Sequence, residues 1–210
     1  MGMYEDFPEQ ELMREDASEP GQFTDEIFKA YVDAVVPRTP FLADEYGRIQ
    51  YYGALDLYTD EYLIYMLNYS GLPMAEAIAE MLEVAAEYVL SANQQDGVNR
   101  MQHRELSVFG SLSPEDRLRL VSFLEQAGAE LPGLPQPFAE NQDNILSAAY
   151  VLNRLTLLGY YSEWSAYGST RLLSPNQWVM EGFPLSWEQV GYPGPSLGYR
   201  ALRTDQVQSL

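Results

Sequence analysis

The stretch PMAEAIAEMLEVAAEYVLSA, residues 73–92, decides the fold class. Met74, Ile78, Met81, Leu82, Ala85 and Val89 recur at intervals of three and four, the spacing that lines up one face of an α-helix. Glu76, Glu80, Glu83 and Glu87 follow the same period on another face. Like charges four apart each cost a few tenths of a kcal/mol on a helix, so this second face is expected to look to solvent or to a basic partner. Solvent is the default, because acidic helix faces are ordinary.

Helical patterning extends outward on both sides. Upstream, residues 55–69 predict a helix with Leu63, Met66 and Leu67 inward, ringed by Tyr51, Tyr52, Tyr58, Tyr62, Tyr65 and Tyr69 and ended by Gly71. Before it, Thr24 is placed to cap a helix whose first turn holds Asp25 and Glu26, where the dipole favours acids. Ile27, Phe28, Tyr31, Val32 and Val35 form its apolar face, and Pro37 stops it, leaving the turn Pro37-Arg38-Thr39-Pro40. Residues 1–21 are acidic, hold two prolines and little apolar content, and are expected to form a flexible tail.

Downstream, residues 93–112 are less regular. Ser113-Pro114-Glu115-Asp116 is a strong helix start, with Ser at the cap, Pro at the first position and acids behind it. Leu118, Val121, Phe123 and Leu124 are expected to face the core, with Gly128 closing the helix. LPGLPQPF, residues 131–138, predicts a proline linker. A last helix over 141–158 should bury Ile145, Ala149, Leu152 and Thr156 and stop at Gly159. The expectation is a mainly α protein: five to six helices over residues 22–158, packed as one orthogonal or irregular bundle.

Beyond Gly159 the character changes. Residues 159–210 hold all three Trp, many Tyr and frequent Gly and Pro, and neither the helical nor the strand period survives. Such a segment is too apolar to remain disordered in water. It should wrap the helical body as an irregular aromatic arm, or complete an interface with another protein.

Composition narrows the chemistry. With 31 acids against 12 bases the net charge is −19, so nucleic-acid backbones and anionic membrane surfaces repel the chain. Lys29 is the only lysine, His103 the only histidine, and there is no cysteine. Cysteine-ligated zinc, Fe–S clusters and thiolate catalysis are excluded, and no His-based metal site or Ser-His-Asp triad beyond His103 can be built. Asp96-Gly97 lacks the preceding acids of a calcium loop, and no phosphate-binding glycine loop occurs. Carboxylate pairs alone are non-specific among so many acids. No window approaches the ~18 consecutive apolar residues of a membrane span. The start has neither a basic nor an apolar targeting region, which gives an expectation of a cytoplasmic protein, exported if at all with a partner. No cofactor is expected and no catalytic residue is assigned.

Three segments in order, AVVPRTP (34–40), FGSLSPEDRLRLVSFLE (109–125) and LTLLGYYSEW (155–164) followed by GYPGPSLGY (191–199), resemble the gluconate 2-dehydrogenase subunit 3 family. The match spans roughly residues 22–200. The resemblance implies a helical, cofactor-free small subunit that pairs with a large flavoprotein of the glucose-methanol-choline oxidoreductase type and supports its assembly or export. The alternative is a stand-alone structural or self-associating protein. Interfaces concentrate binding energy in Trp, Tyr and Arg, so the partner-binding candidates are Arg38, Tyr160, Tyr161, Trp164, Tyr167, Arg171, Trp178, Trp187, Tyr192 and Tyr199.

Overall fold

The computed structural model describes residues 21–69, 72–93, 107–127 and 130–195. Residues 1–20 of the expected tail, the helix stops at Gly71 and Gly128, Asp96-Gly97, His103 and Tyr199 lie outside the described residues. The described residues are mainly helical and contain no strand. The helices are α1 Gln22–Val35, α2 Ala43–Tyr46, α3 Thr59–Tyr69, α4 Ala75–Asn93, α5 Val108–Ser111, α6 Pro114–Ala127, α7 Gln142–Tyr161 and α8 Leu185–Val190. The five long ones answer to the five periodic stretches in the sequence. The short α2, α5 and α8 raise the count above expectation, because a helix of four to six residues is too brief to leave a period.

Helix α1 lies at the centre and packs against α3, α4 and α6, while α7 packs against α3 and α6. Ile27, Phe28, Tyr31 and Val32 of α1 join Leu63, Leu67, Ile78, Met81, Leu82, Leu124, Ile145 and Leu152 in one apolar cluster. Each of these side chains contributes roughly 1.5–3 kcal/mol by leaving water. Of the predicted α4 stripe, Ile78, Met81, Leu82 and Ala85 are buried, while Val89 and Met74, which precedes the helix, are half-buried against the core. Ser113 caps α6 by accepting from the Asp116 N–H at 3.2 Å.

Several local expectations are corrected. Thr24 does not cap α1: Gly21 holds that position and Thr24 is buried within the helix. Its place three and four residues before Ile27 and Phe28 puts it on the core face. Helix α3 starts at Thr59 rather than at Leu55, because Ala54–Leu57 is a tighter 3-10 turn that ends on Tyr58 in the left-handed region, φ 56°. Ile64 rather than Met66 completes its buried face. On α6, Leu118 is exposed and Leu120 is buried. The inward face there is Arg117, Leu120, Val121 and Leu124, and the Arg sits where a charge argued against burial. Residues 131–138 are more than a linker, since Leu131, Leu134 and Phe138 enter the core.

Two polar residues organise α5. Glu83, expected on the solvent face of α4, accepts from the Val108 and Phe109 N–H groups at 2.7 and 3.0 Å. A carboxylate at a helix N-terminus meets unsatisfied donors and the positive end of the dipole. Arg117 closes the other side: it donates to the carbonyls of Phe109 (3.3 Å), Gly110 (2.6 Å) and, on α1, Ala30 (3.0 Å), with Asp33 3.8 Å away.

Candidate interaction surface

Helix α7 carries the chain to the arm. It does not stop at Gly159 but continues to Tyr161. Gly159 is instead where α7 crosses α3: a Cβ there would stand 2.5 Å from Tyr62 Cδ1 and 3.1 Å from Thr59 Cγ2. The next residue, Tyr160, is buried, and its hydroxyl donates to the carbonyls of Tyr52 at 3.0 Å and Ile49 at 3.3 Å. Burial, with the neighbouring Tyr161 and Asp56, pushes its pKa up to about 12, so the phenol stays a hydrogen-bond donor.

Ser162 then ends the helix by accepting from the Trp164 N–H at 3.1 Å and donating to the Gly159 carbonyl at 2.8 Å. The turn drives Trp164 into the body. Its indole N–H donates to the Tyr58 carbonyl at 2.9 Å, and its ring lies 5.4 to 5.7 Å from those of Tyr62, Trp178 and Tyr65. Aromatic pairs at these separations add stabilisation beyond burial.

The arm, expected to be irregular, runs as a 3-10 helix over Trp164–Leu172, a second over Pro175–Gln177, and α8. Gly168 breaks the first with φ 51° and ψ −127°, and a Cβ there would meet Glu181 Oε2 at 1.8 Å. Only glycine adopts that backbone cheaply. Glu181 closes the loop by accepting from the Ser169 N–H and hydroxyl at 3.1 and 2.9 Å.

Arg171 fastens this loop to α3. Its guanidinium donates to both Glu61 oxygens, at 2.7 and 3.0 Å, and to the Gly168 carbonyl, while lying 3.6 Å from the centre of the Tyr58 ring. A planar fork meets carboxylate and ring together, which an ammonium cannot do. Tyr167 donates to Glu163 at 3.3 Å, and the Trp178 indole to the Leu173 carbonyl at 3.0 Å. Further on, Trp187 makes edge contacts with Phe183 and Tyr192, and Gln189 donates to the Tyr46 carbonyl at 2.7 Å.

Arg38 stands apart from the arm cluster. Its Nε donates to Asp56 Oδ2 at 2.5 Å and its Nη2 to Oδ1, while the Gly53 N–H reaches the same carboxylate at 2.8 Å. Burial works to raise the Asp56 pKa, but these donors outweigh it and hold it below the usual carboxylate range. A depressed carboxyl contributes stability that is present above its unfolded pKa of ~3.9 and is lost as pH falls through the folded value. Asp56→Asn is expected to lower the melting temperature at pH 7 and to flatten the wild-type decline below pH ~4. Thermal melts between pH 2 and 7 check both; a variant with an unchanged acid limb contradicts the assignment.

The candidate residues therefore divide by direction. Trp164, Tyr167, Arg171 and Trp178 come together, with Tyr160 nearby, and face inward, while Arg38 is spent on Asp56. Tyr161 and Tyr192 remain exposed. The side chains presented outward by the arm were not singled out by type: Leu172, Val179 and Val190 are 63%, 60% and 75% exposed, joined by Leu173, Met180 and Phe183. The signal for them is position: Leu172-Leu173 directly follows the anchor Arg171, and Val179-Met180 directly follows the anchor Trp178.

No cluster of His, Cys, Asp or Glu suited to a metal occurs among the described residues. A hollow of about 310 Å³ between Gly47, Arg48, Ile49, Leu185, Glu188 and Gln189 holds one ion pair, Arg48 with Glu188 at 3.4 Å. No helix among the described residues is long and apolar enough to cross a membrane. Compared with models of protein families, with curated proteins and with solved structures, the chain matches none.

Proposed function

We propose that this protein is a non-catalytic accessory subunit that supports the assembly, stability or export of a flavin-dependent oxidoreductase of the glucose-methanol-choline type, such as a gluconate 2-dehydrogenase. The observation that carries the reading is the set of exposed apolar side chains along the arm. Its Trp, Tyr and Arg residues hold it to the helices, and Leu172, Leu173, Val179, Met180, Phe183 and Val190 are left facing water. Apolar side chains grouped at a surface mark sites of association. A segment pinned in advance loses little entropy when a partner covers it. Of the three segments that resemble the family, the last supplies two of the pins, Tyr160 and Trp164, where α7 meets the arm.

Co-purification from the native host tests this. Leu172→Asp and Val190→Asp, at exposed positions, are expected to keep the melting temperature and to lose the flavoprotein at least ~10-fold, since interface truncations of ~1.4 kcal/mol or more have that effect. Retention of the flavoprotein by both variants, or a wild-type chain that brings down none, overturns the proposal.

A further inference from the structure

We infer that the exposed face of α7 pairs with the same face of a second copy of this chain, the two helices antiparallel. Helix α7 is 20 residues long, hence ~30 Å, and its inner side is consumed by Ile145, Ala149, Leu152, Thr156 and Gly159. Its outer side carries Leu146, Tyr150, Asn153, Arg154, Leu157 and Tyr161, all exposed, with Tyr150 at 62% and Tyr161 at 57%. In a chain of net charge −19, this helix has only Asp143 and Arg154 as ions. Charge depletion with Tyr and Arg retained is the composition of an interface centre.

The order of side chains says what fits there. An isologous contact requires residue i to meet j while j meets i. Antiparallel pairing centred between Asn153 and Arg154 sets Leu146 against Tyr161, Tyr150 against Leu157, and Asn153 against Arg154, each twice. A flat aromatic meets a branched aliphatic in every apolar pair. Each guanidinium meets an amide carbonyl instead of its own like charge. Arg154 lies along this face, where its Nη1 donates to the Tyr150 hydroxyl of its own helix at 2.7 Å. A basic partner finds no acid along this stripe except Asp143 at its start, whereas a second copy offers Arg154 an acceptor. The acids that repel the two copies lie elsewhere, so screening them with salt strengthens the pairing. This inference does not depend on the flavoprotein reading.

Sedimentation of the full chain over a concentration series, at low and high salt, tests it. A monomer–dimer equilibrium that tightens with salt is expected. Leu157→Glu and Leu146→Glu should each weaken it at least ~10-fold with an unchanged circular dichroism spectrum. The chain has no cysteine, so Asn153→Cys reports geometry directly: mild oxidation should link two copies, while Ser122→Cys on the exposed side of α6 should not. A monomer at every concentration, a dimer indifferent to both Glu variants or abolished only by Val190→Asp, or equal cross-linking at both cysteines overturns the inference. If Leu157→Glu unfolds, Leu146→Glu and the cysteine pair decide.

Discussion

Trp164→Ala is expected to cost about 3–5 kcal/mol, the range for deleting a buried large aromatic. For a chain of this size that lowers the melting temperature by roughly 10 °C. The loss has three parts. The indole leaves a cavity where it was 3% exposed, the Tyr58 carbonyl loses a donor, and Tyr62, Tyr65 and Trp178 lose the ring they share. Trp164→Phe separates the parts, because it keeps most of the apolar contact and forfeits the N–H bond, worth about 1 kcal/mol. Chemical denaturation of both variants checks the order. Equal stability of Trp164→Ala and wild type would mean that the arm is not anchored there.

The second large effect belongs to Arg117. Arg117→Ala is expected to destabilise by about 2–4 kcal/mol, since it removes three hydrogen bonds from one charged donor, the stronger kind, together with the packing of a largely buried side chain. The carbonyls concerned are those of Phe109, Gly110 and Ala30, so the damage spreads across α1, α5 and α6. Arg117→Lys should fall between, because one ammonium cannot span three acceptors held in a fork. Urea unfolding of the pair measures it, and a Lys variant as stable as wild type contradicts the three-way clamp.

Legibility in the sequence followed the range of the interaction. Helices α4 and α6 could be read because their signals are local: a stripe at intervals of three and four, and Ser113-Pro114-Glu115-Asp116 with its cap. The buried face of α7 could be read for the same reason. What could not be read depends on residues distant along the chain. Glu83 looked like one more acid on a wet face until α5 brought two free N–H groups to it. Arg117 displaced Leu118 from the inward position because three carbonyls converge there, which no spacing announces. Gly159 has the look of a helix stop, and only the approach of Tyr62 explains a glycine inside a continuing helix. On the arm, residue type alone does not separate anchors from outward side chains: Tyr160 and Trp164 donate to carbonyls of the body, Tyr161 and Tyr192 stay exposed, and aliphatic residues such as Leu172, Val179 and Val190 also face outward. Tyr199 lies outside the described residues, so its expected role receives no structural account.

Hydrogen–deuterium exchange of the chain alone and in its co-purified complex tests the central claim most directly. The account predicts that peptides covering residues 172–192 gain protection in the complex, while those from α1 and α4 exchange alike in both. Unchanged exchange over 172–192 in a complex that does contain a flavoprotein would contradict it.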